Sequence, residues 1–371
     1  MSGVTRRRVA GGGTSSTTEG NGTTSADISY APSTPSEERK IAYDPKDLED
    51  DKDRKEPKLT LMEEVLLLGL KDRQGYLSFW NDNISYALRG CIVMELAFRG
   101  RIAMVKDSNR RKFELSDRHI EVISERLTGE VLLDEALKMM KISEPMSVAS
   151  WIDLMSGETW NVMKIGYQLK QVRERLAKGL VDKGILRTEK RNFLLFDMAT
   201  HPIADMAVKD EIIKRVCTTL VSRTTPASFD SQSGLRNGYL RTVAMICSAY
   251  AANVLENSLF SLSYDMREKA FAKVDEYLAD FSTWPFTGTG SKVNVHSGTE
   301  LSMEVVSAVL NVFTKMDSIV SVMFISIVAV LTNDTCSFEL PITNLFHFLD
   351  SIDSFETVHN VIRVYLVQRD C

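Results

Sequence analysis

Residues 60–69 read Thr-Leu-Met-Glu-Glu-Val-Leu-Leu-Leu-Gly, and this stretch decides where the fold begins. Thr60 followed three residues later by Glu63 is the pattern of a capping box, in which each residue bonds to the backbone of the other at a helix N-terminus. The apolar residues 65–68 leave no polar face, which predicts a helix buried within a core. The glycine and the polar residues that follow predict its end, so we expect the folded part of the chain to begin at about Leu59.

The chain before this helix has the composition of a disordered arm. Residues 11–25 are almost entirely Gly, Ser and Thr, and residues 47–56 form an acidic run. Such segments have too little apolar surface to offset the entropy that ordering would cost. We therefore predict that residues 1–57 are disordered. Near the tip stand Arg6, Arg7 and Arg8, which by themselves are typical of a solvated tail.

The remainder of the chain predicts a mainly α fold: a single helical domain with β-hairpins. Apolar residues recur at helical spacing in many segments, and the most regular of them is 166–183, where Leu169, Val172, Leu176 and Leu180 share one face. The predicted helices after the first cover residues 84–98, 132–140, 151–155, 166–183, 207–221, 235–259, 265–281 and 300–313.

Two hairpins and one exposed loop complete the prediction. The first hairpin is expected to pair residues 101–105 with 112–115, and the second to pair 185–188 with 193–198 around a turn at 189–192. The Ser/Thr-rich residues 224–234 are predicted to form an exposed loop.

Composition narrows the function classes. The 371 residues include 45 Lys and Arg against 50 Asp and Glu, a net charge of −5, which argues against a protein that coats nucleic acid. The five cysteines form no CxxC pair, so we expect a reducing compartment, with Cys91 and Cys247 buried. The longest apolar run, residues 319–331, would reach only about 20 Å as a helix, which is short of a ~30 Å hydrocarbon core. These features predict a protein that is soluble or peripheral to a membrane.

The patterns of the common enzyme classes are missing. The sequence has no phosphate-binding loop of the G-x-x-x-x-G-K-[ST] type, no G-x-S-x-G elbow and no H-E-x-x-H metal pair. The five histidines are scattered, without the spacing of metal ligands. We therefore predict neither an enzyme nor a cofactor.

A few cations and one aromatic residue are candidates for binding. Lys170 and Arg173 are three residues apart on the predicted helix 166–183, beside its apolar face, and could hold a phosphate between them. By spacing alone, ordinary solvated helix charges are the better interpretation. Trp80 stands at a boundary between loop and helix, where it suits either a packed core or a membrane interface. Arg89 lies among apolar neighbours and either pairs inside the protein or reaches a ligand.

Long stretches of this sequence closely resemble the Golgi phosphoprotein 3 family. The resemblance runs from about residue 58 to 315, and its motifs are long and specific. The stretches that carry it are 58–72 (KLTLMEEVLLLGLKD), 78–82 (SFWND), 88–90 (LRG), 129–137 (GEVLLDEAL), 154–161 (LMSGETWN), 172–178 (VRERLAK), 192–198 (NFLLFDM) and 200–202 (THP). The arm with its arginine tip resembles the fungal branch of that family.

The resemblance implies a peripheral protein of the cytosolic Golgi face. Such a protein binds phosphatidylinositol 4-phosphate and retains glycosyltransferases in the Golgi by linking their cytosolic tails to the COPI coat for retrograde transport. It also implies a homo-oligomer, which is a tetramer in related fungal proteins. The family's lipid pocket falls on Trp80, Arg89, Lys170 and Arg173, with Lys170 at a position where animal members tend to have arginine.

The same resemblance assigns two further segments. Arg6, Arg7 and Arg8 match the family's coat-binding cluster, and the hairpin 189–200 matches the element linked to self-association and membrane contact. The apolar residues of that hairpin are Phe193, Leu194, Leu195 and Phe196.

Two alternatives come from other classes of protein. A helix that ends at Gly184 before a hairpin also fits a winged-helix reader of nucleic acid, although the acidic balance and the apolar residues 193–196 speak against it. An enzyme would need a polar constellation in a cleft. Residues 316–371 extend beyond the family pattern, and we interpret them as an atypical extension, for which a gene-model error such as intron read-through is favoured over a real module.

Overall fold

The computed structural model of the chain describes residues 57–77, 82–157, 162–193, 196–222, 226–233, 235 and 237–331. The predicted arm up to residue 56, Trp80, Leu194, Leu195 and the extension after Leu331 lie outside the described residues.

Helices dominate the described part of the chain, and the mainly α prediction is confirmed. The helices are α1 (Leu61–Gly69), α2 (Asp82–Phe98), α3 (Val131–Ile142), α4 (Val148–Ser156), α5 (Val172–Asp182), α6 (Met206–Val221), α7 (Pro226–Ser233), α8 (Gly238–Ala251), α9 (Glu256–Leu259), α10 (Tyr264–Phe281) and α11 (Glu300–Leu331). The strands are β1 (Ile102–Met104), β2 (His119–Val122), β3 (Met146–Ser147), β4 (Glu189–Phe193) and β5 (Phe196–Thr200).

The core is built around α2, which packs against α1, α8 and α11. All nine residues of α1 are buried, as the apolar run predicts. Gly90 on α2 allows α11 to come close, because a Cβ at this position would lie 2.5 Å from the ring of Phe313. Cys91 and Cys247 are buried in this core, as expected.

The predicted capping box is present at the start of α1. The Glu63 N–H donates to Thr60 Oγ1 at 3.3 Å, and the Thr60 N–H donates to Glu63 Oε2 at 2.9 Å. Lys183, just after α5, donates from its ammonium group to the same carboxylate at 2.8 Å. The cap that begins the fold therefore also ties α1 to α5.

A buried ion cluster fastens α2 to α8. The fully buried carboxylate of Glu95 accepts from Arg99 at 2.9 Å and pairs with Arg241 at 2.8 Å. It also accepts the backbone N–H of Leu61 at 3.0 Å. A charge out of water needs partners of this kind, and here they come from α1, from α8 and from the turn that follows α2.

The first hairpin was predicted with the wrong partner strand. Strand β1 pairs with β2, and β2 pairs with β3, so the element is a three-stranded antiparallel sheet. Residues 112–115, expected as the partner strand, end one 3-10 turn (Ser108–Lys112) and begin another (Leu115–Asp117). Of these four residues only Leu115 is buried, so the segment has no apolar face with which to join a sheet.

The most regular predicted helix begins later than expected. Helix α5 starts at Val172, because Gln171 has a left-handed backbone conformation (φ +53°), and residues 162–167 form a 3-10 turn instead. The apolar face of the segment is nevertheless buried, with Leu169, Val172, Leu176 and Leu180 all in the core. Apolar spacing therefore identified the buried face correctly and the start of the helix incorrectly, and it placed Lys170 on a helix to which it does not belong.

The second hairpin exists in a different register. Strands β4 and β5 are antiparallel and Phe193 pairs with Phe196, so residues 194–195 connect them. The turn predicted at 189–192 is wrong, because these polar residues form the first strand at the protein surface.

Two further expectations are corrected. Within the predicted exposed loop 224–234, α7 forms, with Phe229 packed edge-on against Tyr239 at 5.9 Å. The predicted helix 235–259 divides into α8 and α9, with Asn253 in a left-handed conformation between them. Among the described residues, no helix combines the length and apolarity that crossing a bilayer requires.

Candidate anion-binding site

A cavity of about 590 Å³ opens where α2, α5 and the end of β5 approach one another. Its volume lies in the range of small-molecule sites, roughly 300–1,000 Å³. The lining includes two arginines and one histidine, together with apolar and backbone surface. The lining residues are Leu66, Leu70, Gly75, Tyr76, Leu77, Ser85, Arg89, Gln171, Val172, Arg173, Glu174, Ala177, Ala199 and His201.

Arg89 forms the buried part of this lining, with only 6 % of its surface exposed. Its guanidinium donates to three backbone carbonyls: Nε to Met155 at 3.2 Å, Nη1 to Ser85 at 2.8 Å and Nη2 to Leu169 at 2.7 Å. Because a guanidinium has five N–H donors, these bonds fix its plane and leave two donors for a ligand.

The charge of Arg89 is not balanced by a carboxylate partner within the described ranges. Burial, followed by the nearby charge of Arg173, lowers the pKa of Arg89 to about 10, while Glu174 acts in the opposite direction. The side chain still carries its positive charge at neutral pH. A buried cation held by neutral carbonyls is unfavourable alone, and a bound anion would relieve that cost.

Arg173 approaches the same space from the first turn of α5. Its Nε donates to Ser85 Oγ at 3.1 Å. Ser85 therefore contacts both arginines, one through its hydroxyl and the other through its carbonyl. Two guanidinium groups that share an orienting residue are arranged for charge-assisted bonds to one phosphate.

The N-terminus of α5 adds a third favourable feature. Gln171 precedes the helix in a left-handed conformation, and its side chain does not cap the first turn. The backbone N–H groups at the start of a helix lack intrahelical partners and carry partial positive charge. This helix end and the two arginines present positive charge to the cavity, and the exposed carboxylate of Glu174 in the same first turn offsets part of it.

The opposite wall comes from the turn after α1 and from the end of the hairpin. The His201 N–H donates to the Gly75 carbonyl at 2.8 Å, and Gly75 has φ +71°. A Cβ at Gly75 would lie 2.2 Å from the backbone nitrogen of Pro202, so this close approach requires glycine. Burial lowers the pKa of His201, with the charge of Glu174 opposing, which favours the neutral ring.

The predicted lipid-binding residues are only partly brought together. Arg89 and Arg173 line one cavity. Lys170 is exposed and stands next to Gln171 on the chain, but it is not among the lining residues, so the helical argument that paired it with Arg173 is wrong. Trp80 lies outside the described residues, and so do Arg6, Arg7 and Arg8.

Several lining residues were not predicted. Ser85, Gln171, Glu174, Gly75 and His201 had no assigned role, although Glu174 and His201 stand within the quoted motifs VRERLAK and THP. The Gly75–His201 contact joins segments 126 residues apart, and no local pattern reports such a contact. In the described part of the chain, no cluster of His, Cys, Asp and Glu has the geometry of a metal site.

Comparisons with known proteins agree on one family. The family model described as "Golgi phosphoprotein 3 (GPP34)" matches residues 61–292. The chain is 63 % identical over 302 residues to "Vacuolar protein sorting-associated protein 74" of Schizosaccharomyces pombe, covering 76 % of this chain and 89 % of that protein. It is 52 % identical over 297 residues to the protein of the same name from Eremothecium gossypii, covering 76 % and 90 %.

Proposed function

The chain belongs to the Golgi phosphoprotein 3 family and is a Golgi-associated sorting protein, and from this premise we propose that its cavity binds phosphatidylinositol 4-phosphate on the cytosolic face of Golgi membranes. The observation that carries this proposal is the buried guanidinium of Arg89, which lines the cavity beside Arg173 with two donors left over and, among the described residues, no direct ion pair with a carboxylate. The phosphate on the inositol ring would accept from both arginines and from the N-terminus of α5.

Two other residues complete the proposed lipid site. Lys170, exposed at the approach to α5, would contribute charge to an anionic surface without entering the cavity. Trp80, two residues before α2, would lie at the headgroup level of the membrane, where an apolar ring with an N–H donor is favourable.

The lipid would recruit the protein, and other segments would make it a sorting adaptor. We assign Arg6, Arg7 and Arg8 to the COPI coat, and we propose that the protein also binds the cytosolic tails of glycosyltransferases. Phe193, Leu194, Leu195 and Phe196 at the end of the hairpin would mediate self-association and touch the membrane. Each basic residue near an anionic membrane contributes only about 1 kcal/mol, so a homo-oligomer would gain useful avidity. The proposed role is that of an adaptor and not of an enzyme.

The lipid assignment is tested with phosphatidylcholine vesicles that contain or lack phosphatidylinositol 4-phosphate. We expect the wild-type chain to sediment only with the former, Arg173→Ala to lose this binding and Lys170→Ala to reduce it in proportion to one surface charge. The matched control is Lys138→Ala, which removes an exposed cation from α3. Equal binding by wild type and Arg173→Ala, with unchanged circular dichroism, would remove the cavity from the lipid site.

The coat assignment needs a separate assay. Replacing Arg6, Arg7 and Arg8 by alanine is expected to abolish capture of COPI while vesicle binding persists. Capture at the wild-type level would return these arginines to the role of a solvated tail.

A further inference from the structure

A short apolar segment is exposed in the loop between α4 and α5. The 3-10 turn Val162–Tyr167 contains Met163-Lys164-Ile165, which we call the apolar tip. Met163 is 88 % exposed and Ile165 is 48 % exposed, and Lys164 between them is also exposed. Single exposed apolar residues are common, but two of them separated by one residue on a surface turn call for an explanation.

The cavity arginine fixes the base of the loop that carries this tip. Arg89 Nε bonds the Met155 carbonyl at the end of α4, and Nη2 bonds the Leu169 carbonyl just before α5. The Leu169 N–H also donates to the Met155 carbonyl at 3.0 Å. Both ends of the loop are thus tied to the residue that we assign to the phosphate.

The C-terminal end of the turn is held as firmly. Tyr167 packs edge-on against Trp151 at 5.9 Å, and its hydroxyl accepts from Ser143 Oγ at 3.2 Å. The Gln168 side chain donates to the Ser156 carbonyl at 3.5 Å. These contacts hold the base of the segment, while the side chains of Met163 and Ile165 are exposed and the chain continues to Gln171, Val172 and Arg173 in the cavity lining.

The charge of the segment favours one kind of partner. Residues 162–173 contain Lys164, Lys170 and Arg173 and no Asp or Glu, and the neighbouring acids along the chain are Glu158 and Glu174. An apolar tip among cations complements a surface with anionic headgroups above acyl chains. A partner protein would instead have to present an apolar groove with acidic edges to this segment, and no feature of this chain points to such a partner.

We propose that the apolar tip enters the boundary between headgroups and acyl chains of the bilayer while the cavity holds the lipid phosphate. The inference rests on the proposed lipid site and extends it: Met163 and Ile165 would supply apolar binding energy, and Arg89 would couple their position to the headgroup. Lys164 would remain at the level of the phosphates because its long stem lets the ammonium reach the interface.

The test compares a bilayer with a soluble headgroup. The variant is Met163→Ser with Ile165→Ser, and the matched control is Val131→Ser with Phe260→Ser, two residues of other segments that are 71 % and 66 % exposed. With vesicles containing phosphatidylinositol 4-phosphate, we expect the tip variant to bind about 10-fold more weakly, as the loss of two partly inserted side chains implies. Its affinity for inositol 1,4-bisphosphate should stay at the wild-type level, and the control variant should match wild type in both assays.

The outcomes separate this inference from the proposed function. If Arg173→Ala loses inositol 1,4-bisphosphate binding and the tip variant keeps it, the result supports the cavity as the headgroup site. If the tip variant binds vesicles as well as wild type does, the inference about the apolar tip is overturned. A smaller oligomer of the tip variant in sedimentation would show that the tip is a subunit contact, and it would also overturn the inference.

A second measurement decides the inference even if the wild-type chain fails to bind the soluble headgroup. Ile165→Trp is mixed with vesicles that contain phosphatidylinositol 4-phosphate and phosphatidylcholine with brominated acyl chains, and Phe260→Trp serves as the control. We expect additional quenching of fluorescence for Ile165→Trp only. Equal quenching in the two variants would place the tip outside the bilayer.

Discussion

The Nε of Arg173 donates a hydrogen bond to the Oγ of Ser85 at 3.1 Å, across a sequence separation of 88 residues. The carbonyl of the same serine accepts from Nη1 of Arg89 at 2.8 Å. One small residue on α2 therefore holds two like charges side by side at the cavity. Because the arginines repel each other, they need such an orienting contact when no anion lies between them.

Ser85→Ala is expected to weaken headgroup binding without unfolding the protein. The substitution removes the hydroxyl that orients Arg173 but keeps the carbonyl that orients Arg89. A hydrogen bond is worth about 1 kcal/mol net, so we expect a loss of roughly 5-fold in affinity for inositol 1,4-bisphosphate by calorimetry. Ser261→Ala, at an exposed position, is the control. Unchanged affinity in Ser85→Ala would show that the orientation of Arg173 does not depend on this bond.

The two cavity arginines are expected to differ in what they do for stability. Arg89→Ala removes the donor to three carbonyls, including those that close the loop between α4 and α5, and so should lower the free energy of unfolding by roughly 2–4 kcal/mol. Arg173→Ala loses one bond at a half-buried position and should change stability by about 1 kcal/mol or less. Urea denaturation measures both.

Binding does not distinguish the two arginine variants. Both variants should lose affinity for inositol 1,4-bisphosphate, so only the stability measurement separates them. If Arg89→Ala were as stable as Arg173→Ala, the hydrogen bonds from Arg89 to the carbonyls of Met155 and Leu169 would contribute nothing measurable to the free energy of unfolding.

The comparison of Arg89 with Lys170 shows what could be predicted from the sequence. Arg89 stands in a long apolar helix, and a buried cation there predicts either a ligand or a partner inside the protein. In the structure Arg89 donates to backbone carbonyls and lines the cavity. Lys170 was paired with Arg173 by helical spacing. The left-handed conformation of Gln171 breaks that spacing, and apolar periodicity cannot report one backbone angle.

Buried faces were easier to predict than boundaries and long-range contacts. The cap at Thr60 and the buried face of α5 follow from local patterns, and both are present. The third strand of the first sheet and the contact between Gly75 and His201 depend on which distant segments meet. Tertiary packing decides such contacts, so local propensity could not supply them.

The end of the hairpin β4–β5 can be tested without a change to the cavity lining. Deleting residues 189–200 would remove Ala199, which lines the cavity, and would confuse two effects. Leu194→Ser with Leu195→Ser keeps both strands, because the register pairs Phe193 with Phe196 around these two positions. We expect a smaller oligomer in sedimentation and weaker vesicle binding, with unchanged affinity for inositol 1,4-bisphosphate. An unaltered oligomer would assign self-association to another surface.

The buried cluster around Glu95 predicts how stability depends on pH. Burial alone would raise the pKa of Glu95, but the charges of Arg241 and Arg99 and its hydrogen bonds outweigh burial and hold that pKa below 4.5. A carboxyl whose pKa is lower in the folded state stabilises the fold fully above its unfolded pKa and loses this contribution as the pH falls through its folded pKa. The protein should therefore lose stability progressively below about pH 4.5, in part through this residue.

Glu95→Gln isolates that contribution. At pH 7 the variant leaves Arg241 and Arg99 without their buried partner, which should lower the free energy of unfolding by roughly 3–5 kcal/mol. The difference from wild type should shrink as the pH falls below 4.5, because protonation of Glu95 removes the same charge in the wild-type protein. Urea denaturation at several pH values between 7 and 3 measures the difference, with the exposed Glu144→Gln as control. A constant difference across that range would mean that Glu95 acts by packing and hydrogen-bond geometry and not by its charge.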